Sequence, residues 1–136
     1  MFQVGRVYSR VDDLQAKYGG QRMGGAMTPK GKPYIFLLPT DHGRETGYTE
    51  HWQGDVLHMS GSGRSGDQEM KGLNRATRDH EADDKALYLF WPVSNNAGQY
   101  RYQGKVRYIG HYFRQRAGAD GEPRREIVFK LQSVPE

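Results

Sequence analysis

Residues 100–113 read YRYQGKVRYIGHYF, and this stretch decides the fold class. Successive side chains alternate between two faces, which is typical of a strand with one buried face. The side chains of that face include Tyr102, Val106, Tyr108 and Tyr112. Gly104 and Gly110 interrupt the alternation and indicate bends or bulges. A turn is expected at residues 117–121, and residues 126–132 then alternate again. The end of the chain therefore predicts a long β-hairpin.

The sequence before this hairpin predicts further strands and one or two short helices. Apolar or alternating runs predict strands at residues 2–8, 34–38, 55–59 and 87–91. A helix is expected at residues 12–17, with Asp12 as its N-cap and Gly19 beyond its end. A second segment with helical character covers residues 68–83, although Gly72 weakens it. Exposed loops or turns are expected at residues 19–32, 60–66 and 95–98.

Length and composition limit the class of protein. The chain has 136 residues, enough for one domain that buries its own core, and 18 of them are glycine. The absence of cysteine excludes a disulfide scaffold and a thiolate zinc site. A net charge of +4 favours a polyanionic partner only slightly. No apolar run reaches the length of a membrane span or a signal peptide. We therefore expect an intracellular, soluble, single domain over residues 1–136, of the α+β class and mainly β.

The candidate catalytic patterns are weak. Asp55, Glu69 and Lys71 have the order of a metal-dependent nuclease motif, in which two carboxylates hold Mg²⁺. That motif needs a strand carrying Glu69 and Lys71, whereas a helix is expected to begin there. The five histidines lack close metal-ligand spacing, and no serine lies in a nucleophile elbow. The sequence therefore predicts no catalytic residue, no metal and no cofactor.

Four short segments carry a more specific pattern. They are GYTEHW at 47–52, LHMSGSG at 57–63, GDQ at 66–68 and GLNRA at 72–76. In this order and spacing they resemble the SRA (SET and RING finger-associated) domain, including its form in modification-dependent bacterial restriction endonucleases. The resemblance is closest over residues 34–90. It implies a PUA-like, curved and barrel-like sheet that binds duplex DNA and rotates a modified cytosine out of the base stack.

The resemblance also implies which residues line the base pocket. They are Tyr48, Glu50, His51, Trp52, Met59, Ser60 and Gly61. Tyr48 matches the first stacking aromatic of the family, and Glu50 or His51 the acceptor for the amino group of the base. Met59 stands where the family has a second aromatic, so either the pocket accepts a bulkier modification or the clamp is one-sided, with Trp52 helping. Ser60 and Gly61 match small residues beside the 5-substituent of the base.

A second group of residues is expected to contact the DNA around the flipped base. It consists of Gln21, Arg22, Met23, Arg64, Lys71, Asn74, Arg75 and Arg78. For Asn74 a purely structural role, capping a helical turn, is an equal alternative.

The function implied is that of a modified-base reader rather than an enzyme. Its expected partner is double-stranded DNA carrying 5-methylcytosine or 5-hydroxymethylcytosine, in the bacterial cytoplasm and without a membrane partner. N6-methyladenine stays open, because adenine and cytosine present the same local donor and acceptor pattern to a carboxylate. Any nuclease would lie on a partner or on another domain. The alternatives are a PUA-like RNA-binding module and, less favoured, the metal-dependent nuclease.

Overall fold

The structure is a computed structural model that describes residues 1–21, 25–39, 51–63, 65–93 and 98–135. Its strands are β1 Val7–Ser9, β2 Ala26–Met27, β3 Tyr34–Leu37, β4 His51–Gln53, β5 Val56–Ser60, β6 Ala86–Pro92, β7 Gln99–Ala117 and β8 Pro123–Val134. A π-helical segment, Arg10–Gln15, continues into the short helix α1, Ala16–Tyr18. A second short helix, α2, covers Leu73–Arg78.

All the strands belong to one curled sheet in the order β2-β3-β6-β7-β8-β5-β4, with β1 paired to β7. The pairs are antiparallel except β3 with β6. Strand β7 pairs with β1 and β6 near its start and with β8 over the rest of its length, so it bends through the sheet. The register shifts next to Gly104 and Gly110, which have φ values of 111° and 156°. The predicted bulges and the mainly β, curved sheet are confirmed.

Two apolar clusters cover different parts of this sheet. The first joins β3, β5, β6, β7 and β8, and its buried members include Leu57, Met59, Leu89, Ile127 and Phe129. The second is aromatic and packs the N-terminal segment against β3, β6 and β7. Its members include Phe36, Phe90 and Tyr102, and the ring of Phe2 lies 5.0 Å from that of Phe90. These clusters fix the strands whose ends carry the site described below.

The N-terminal predictions need correction. The strand expected at residues 2–8 is reduced to Val7–Ser9, because Phe2 packs into the aromatic cluster and Gly5 turns the chain with φ of 90°. The helix begins before residue 12, since the Ser9 hydroxyl accepts a bond from the Asp12 amide at 3.1 Å and acts as the N-cap. The loop expected at 19–32 contains the strand β2, whose Met27 is fully buried.

The helical segment expected at residues 68–83 is also too long. The α-helix covers only Leu73–Arg78, because Gly72 precedes it with φ of 57° and the chain turns after Asp79. His80 follows this helix and is 3% exposed. Its Nδ1 lies 2.8 Å from the Lys85 carbonyl, and its Nε2 accepts a bond from the Tyr108 amide. The imidazole thus attaches the end of this helix to β7.

Candidate nucleic-acid interface

Successive side chains of β5 lie on opposite faces of the sheet. Met59 is opposite Phe129 in the ladder, is 6% exposed and belongs to the first apolar cluster. Ser60 is opposite Val128 and lies on the other face with His58. Of the predicted pocket residues, Met59 and Ser60 therefore do not share a surface.

The edge strand β4 divides in the same way. His51 is opposite His58, and Trp52 is opposite Leu57. Directly opposed residues share a face, so His51 lies with His58 and Ser60, whereas Trp52 lies on the side of Met59 and is 39% exposed. The predicted pocket residues of β4 and β5 are thus divided between the two faces of the sheet. Tyr48 and Glu50 precede β4 in the sequence and lie outside the described residues.

A group of ring side chains lies on the face of Ser60. The rings of His51 and His58 stack with their centroids 4.8 Å apart, and His58 Nδ1 is 2.9 Å from the Tyr112 hydroxyl. Burial of His58 lowers its pKa below the ordinary value, and the nearby His51 and Lys130 lower the pKa further. His58 is 9% exposed, so burial disfavours the charged form of its imidazole.

A buried carboxylate lies beside this group. Glu126 is 1% exposed, and its Oε1 accepts a hydrogen bond from the Ser60 hydroxyl. Its Oε2 lies 3.4 Å from Nη2 of Arg114 and 3.7 Å from Nε of Arg116. A buried carboxylate is tolerated when it is paired and hydrogen-bonded, as this one is. The arrangement fixes the Ser60 hydroxyl as a donor to Glu126 and leaves its oxygen lone pairs available as acceptors.

The loop after β5 is held by two buried amide side chains. Gln68 donates from Nε2 to the carbonyls of Gly61 and Gly63 at 2.9 and 3.0 Å, and its Oε1 accepts from the Ile127 amide. Asn74 accepts from the Ser62 amide at 2.7 Å and donates to the Ser62 carbonyl at 3.0 Å. It also donates to the carbonyl of Glu69. Residues 61–63 of the loop are therefore held in place by side chains of the protein itself.

These contacts assign structural roles to Asn74, expected at the DNA, and to Gly61, expected in the base pocket. Asn74 is 4% exposed and its amide is used inside the protein, which favours the structural alternative over a DNA contact. A Cβ on Gly61 would lie 2.9 Å from the amide oxygens of Asn74 and of Gln68. The small size of Gly61 is thus required by the loop itself, whatever it does for a ligand.

The other residues expected at the DNA are more dispersed. Lys71 is exposed and paired with Glu69 at 2.7 Å, and Arg75 and Arg78 both contact Asp79. Gln21 bonds Thr28 through both ends of its amide. Arg22, Met23 and Arg64 lie outside the described residues. Glu69 therefore neutralises part of the positive charge of Lys71. Asp79 does the same for Arg75 and Arg78 of α2.

The structure does not bring the candidate nuclease residues together. The carbonyl of Asp55 accepts a bond from the Ser133 amide, whereas the residue before Glu69 bonds the carbonyl of Arg125. Positions 125 and 133 lie on one strand about 25 Å apart at the usual rise per residue. In the described ranges no group of three or more histidine, aspartate or glutamate side chains could hold a metal ion. The nuclease alternative is therefore wrong, because it requires the carboxylates of Asp55 and Glu69 to lie close together.

Sequence reasoning missed the polar cluster around Glu126. Its members come from β5, β7 and β8, and only the register of the β7–β8 hairpin brings Arg114 opposite Glu126. No local pattern marks this carboxylate in the sequence, because Glu126 follows two arginines and directly precedes the apolar run at 127–129. No helix in the described part of the chain has the length and apolar character needed to cross a membrane.

The mainly β, curled sheet is the architecture that the resemblance to SRA domains implied. The chain belongs to the family of ScoMcrA-like SRA domains, whose model matches residues 4–136. This membership confirms the predicted resemblance. It also agrees with a binding domain rather than an enzyme. No curated protein matches the chain.

Solved structures agree with the fold. The sulfur binding domain and SRA domain of ScoMcrA, complexed with phosphorothioated DNA, matches all of this chain with a TM-score of 0.74 and 25% identity. The phosphorothioation-dependent Type IV restriction endonuclease ScoMcrA matches at 0.74 and 23% identity. The chain spans 41% and 29% of these two proteins. The SRA domain of SUVH5 with hemimethylated CG DNA matches at 0.69 and 19% identity, over 99% of this chain and 90% of that one.

Proposed function

We propose that this chain binds duplex DNA and reads a modified base that has been rotated out of the stack. The observation that carries the proposal is the segment from Ser60 to Gly63, which hydrogen bonds from the buried amides of Gln68 and Asn74 hold in place. Unstacking a base costs a few kcal/mol, and a preorganised pocket recovers that free energy best. Family membership supports the same function, since the relatives were solved with phosphorothioated or methylated DNA.

The face that carries Ser60 supplies the charge for a duplex. This face carries Arg114 and Arg116 of β7 and Lys130 of β8. Among the described residues, the carboxylate that pairs with Arg114 and Arg116 is that of the buried Glu126. Arginine and lysine bind phosphate oxygens and give affinity without sequence preference. Specificity must then come from the pocket, where Tyr48 stacks on the base and Glu50 or His51 accepts its amino group.

The Ser60–Glu126 hydrogen bond bears on which modification is read. Because the Ser60 proton points to Glu126, its oxygen accepts a bond from a hydroxymethyl group but offers none to a methyl group. We therefore propose 5-methylcytosine or 5-hydroxymethylcytosine as the ligand, with the second bound more tightly. The structure of ScoMcrA with phosphorothioated DNA contains a sulfur binding domain besides the SRA domain, so a phosphorothioate belongs in the test panel.

The proposed setting is a bacterial restriction system in the cytoplasm. The chain spans 29% of the restriction endonuclease ScoMcrA, and we propose that any nuclease activity linked to it lies on another domain or subunit. The chain itself then selects the DNA that is cut.

A binding panel tests the proposal. Fluorescence anisotropy is measured with matched duplexes that carry cytosine, 5-methylcytosine, 5-hydroxymethylcytosine, N6-methyladenine or a phosphorothioate, and with single-stranded RNA as competitor. We expect the two modified cytosines to bind more tightly than cytosine, and Tyr48→Ala to lose this difference. Ser60→Ala should reduce the preference for hydroxymethylcytosine, with Ser133→Ala on the same hairpin as the matched control. Equal affinity for all duplexes contradicts the reader function, and stronger competition by RNA favours the RNA-binding alternative.

A further inference from the structure

Arg124 is a buried basic side chain, as is Arg10 in the N-terminal segment. Arg124 lies near the start of β8 and is 8% exposed, and its Nη1 donates to the carbonyl of Gly63. Its Nε is buried without a hydrogen-bond partner. A guanidinium carries five donors and stays charged, so burial is costly until those donors are paired.

The nearest carboxylate is already in use. Glu126 is two residues further along β8, and its Oε1 bonds Ser60 while its Oε2 faces Arg114 and Arg116. Among the described residues, no carboxylate forms an ion pair with Arg124. Within the described ranges, the hydrogen bond of Arg124 is the one to the backbone carbonyl of Gly63.

The strand register increases the positive charge at this point. Arg116 of β7 is directly opposite Arg124 of β8. Opposed side chains in an antiparallel pair have Cβ atoms about 5 Å apart, and like charges in such a pair repel. Arg116 is 16% exposed and Arg114 is 29% exposed, so an anion from solvent can reach the cluster.

We propose that Arg116 and Arg124 form a binding subsite for one phosphodiester of the bound DNA. A phosphate oxygen would separate the two like charges and accept from the guanidinium edges, which suit bidentate contact with phosphate. The subsite lies against the Gly63 carbonyl, three residues after Ser60, so it would hold the backbone beside the base that is read. The inference rests on the proposed function for the identity of the anion.

The subsite predicts how salt affects binding. Each phosphate contact contributes about 0.9 to the slope of log K against log salt concentration. Arg124→Gln should therefore lower the slope by about 0.9, the value of one phosphate contact. It should weaken the binding of modified and unmodified duplexes by the same factor. Arg116→Gln should act in the same way, and it keeps the test valid if the first variant folds poorly by circular dichroism.

Single methylphosphonate substitutions along the duplex locate the contact. With the unchanged protein, one position should weaken binding roughly tenfold, as expected for loss of a charge-assisted hydrogen bond. With Arg124→Gln or Arg116→Gln, that position should no longer matter. Arg107→Gln removes the same charge about 25 Å away along the hairpin, and it should leave the sensitive position unchanged.

Two results would overturn the subsite. One is that Arg124→Gln and each methylphosphonate weaken DNA binding independently, so that their effects add at every position of the duplex. The other is binding of inorganic phosphate alone that needs Arg124 while no position on the duplex does, which would make the site one for a free anion. If modified and unmodified duplexes bound equally, the reader function would fail, yet the salt slope and the methylphosphonate map would still decide the subsite.

Discussion

Replacing Asn74 by alanine separates a structural residue from a DNA contact. The side chain makes three hydrogen bonds, to the amide and the carbonyl of Ser62 and to the carbonyl of Glu69. At about 1 kcal/mol net for each bond, Asn74→Ala should lower the free energy of unfolding by about 3 kcal/mol. For a domain of this size the melting temperature should fall by roughly 10 °C.

Urea unfolding followed by circular dichroism measures this loss, and anisotropy measures DNA affinity at a temperature where the variant stays folded. The matched control is Arg75→Ala, the next residue on α2, whose side chain is 70% exposed and which should change stability by less than about 0.5 kcal/mol. An Asn74→Ala protein that unfolds like the unchanged chain but loses affinity would refute the structural role and restore the DNA contact.

Two further substitutions test the loop and the histidine group. Gly61→Ala should lower the free energy of unfolding, measured with urea, by about 1–3 kcal/mol, because the new Cβ meets two buried amide oxygens at 2.9 Å. Gly25→Ala is the control, since a Cβ there has open space and should leave stability unchanged. Equal effects of the two substitutions would contradict the close packing at Gly61. Burial lowers the pKa of His58, so the unfolded chain binds the proton at higher pH than the folded one. Stability should be complete above the ordinary histidine pKa of about 6.5 and fall as the pH drops below it, and less so in His58→Gln; unchanged pH profiles would count against this. The groups that face the His58 ring are His51, Tyr112 and Lys130.

Local patterns were sufficient to predict the hairpin and the family. Residues 100–113 and 126–132 alternate over many positions, and two glycines mark their bulges, so strand type and bending follow from local chemistry. The strand β2 was missed because two residues, Ala26 and Met27, have no periodicity. Its burial depends on pairing with β3, which only the tertiary fold supplies.

The candidate site was predictable only in part. The motifs around Ser60, Gln68 and Asn74 come together as their order suggested, but the Asn74 amide bonds the loop, which favours its structural role. The cluster of Glu126 with Arg114 and Arg116 depends on strand register, which a one-residue shift would destroy. The position of His80 also depends on the tertiary fold, since one of its two ring partners, Tyr108, lies 28 residues further along the chain.

The central claim is that the base itself leaves the stack, and fluorescence tests it directly. A 2-aminopurine is placed next to the modified base in the duplex that binds most tightly, where stacking quenches its emission. We predict that emission rises as the chain is added, saturates at the binding stoichiometry, and stays low with the matched unmodified duplex. Unchanged emission at saturating protein, with binding established by anisotropy on the same sample, would contradict base flipping.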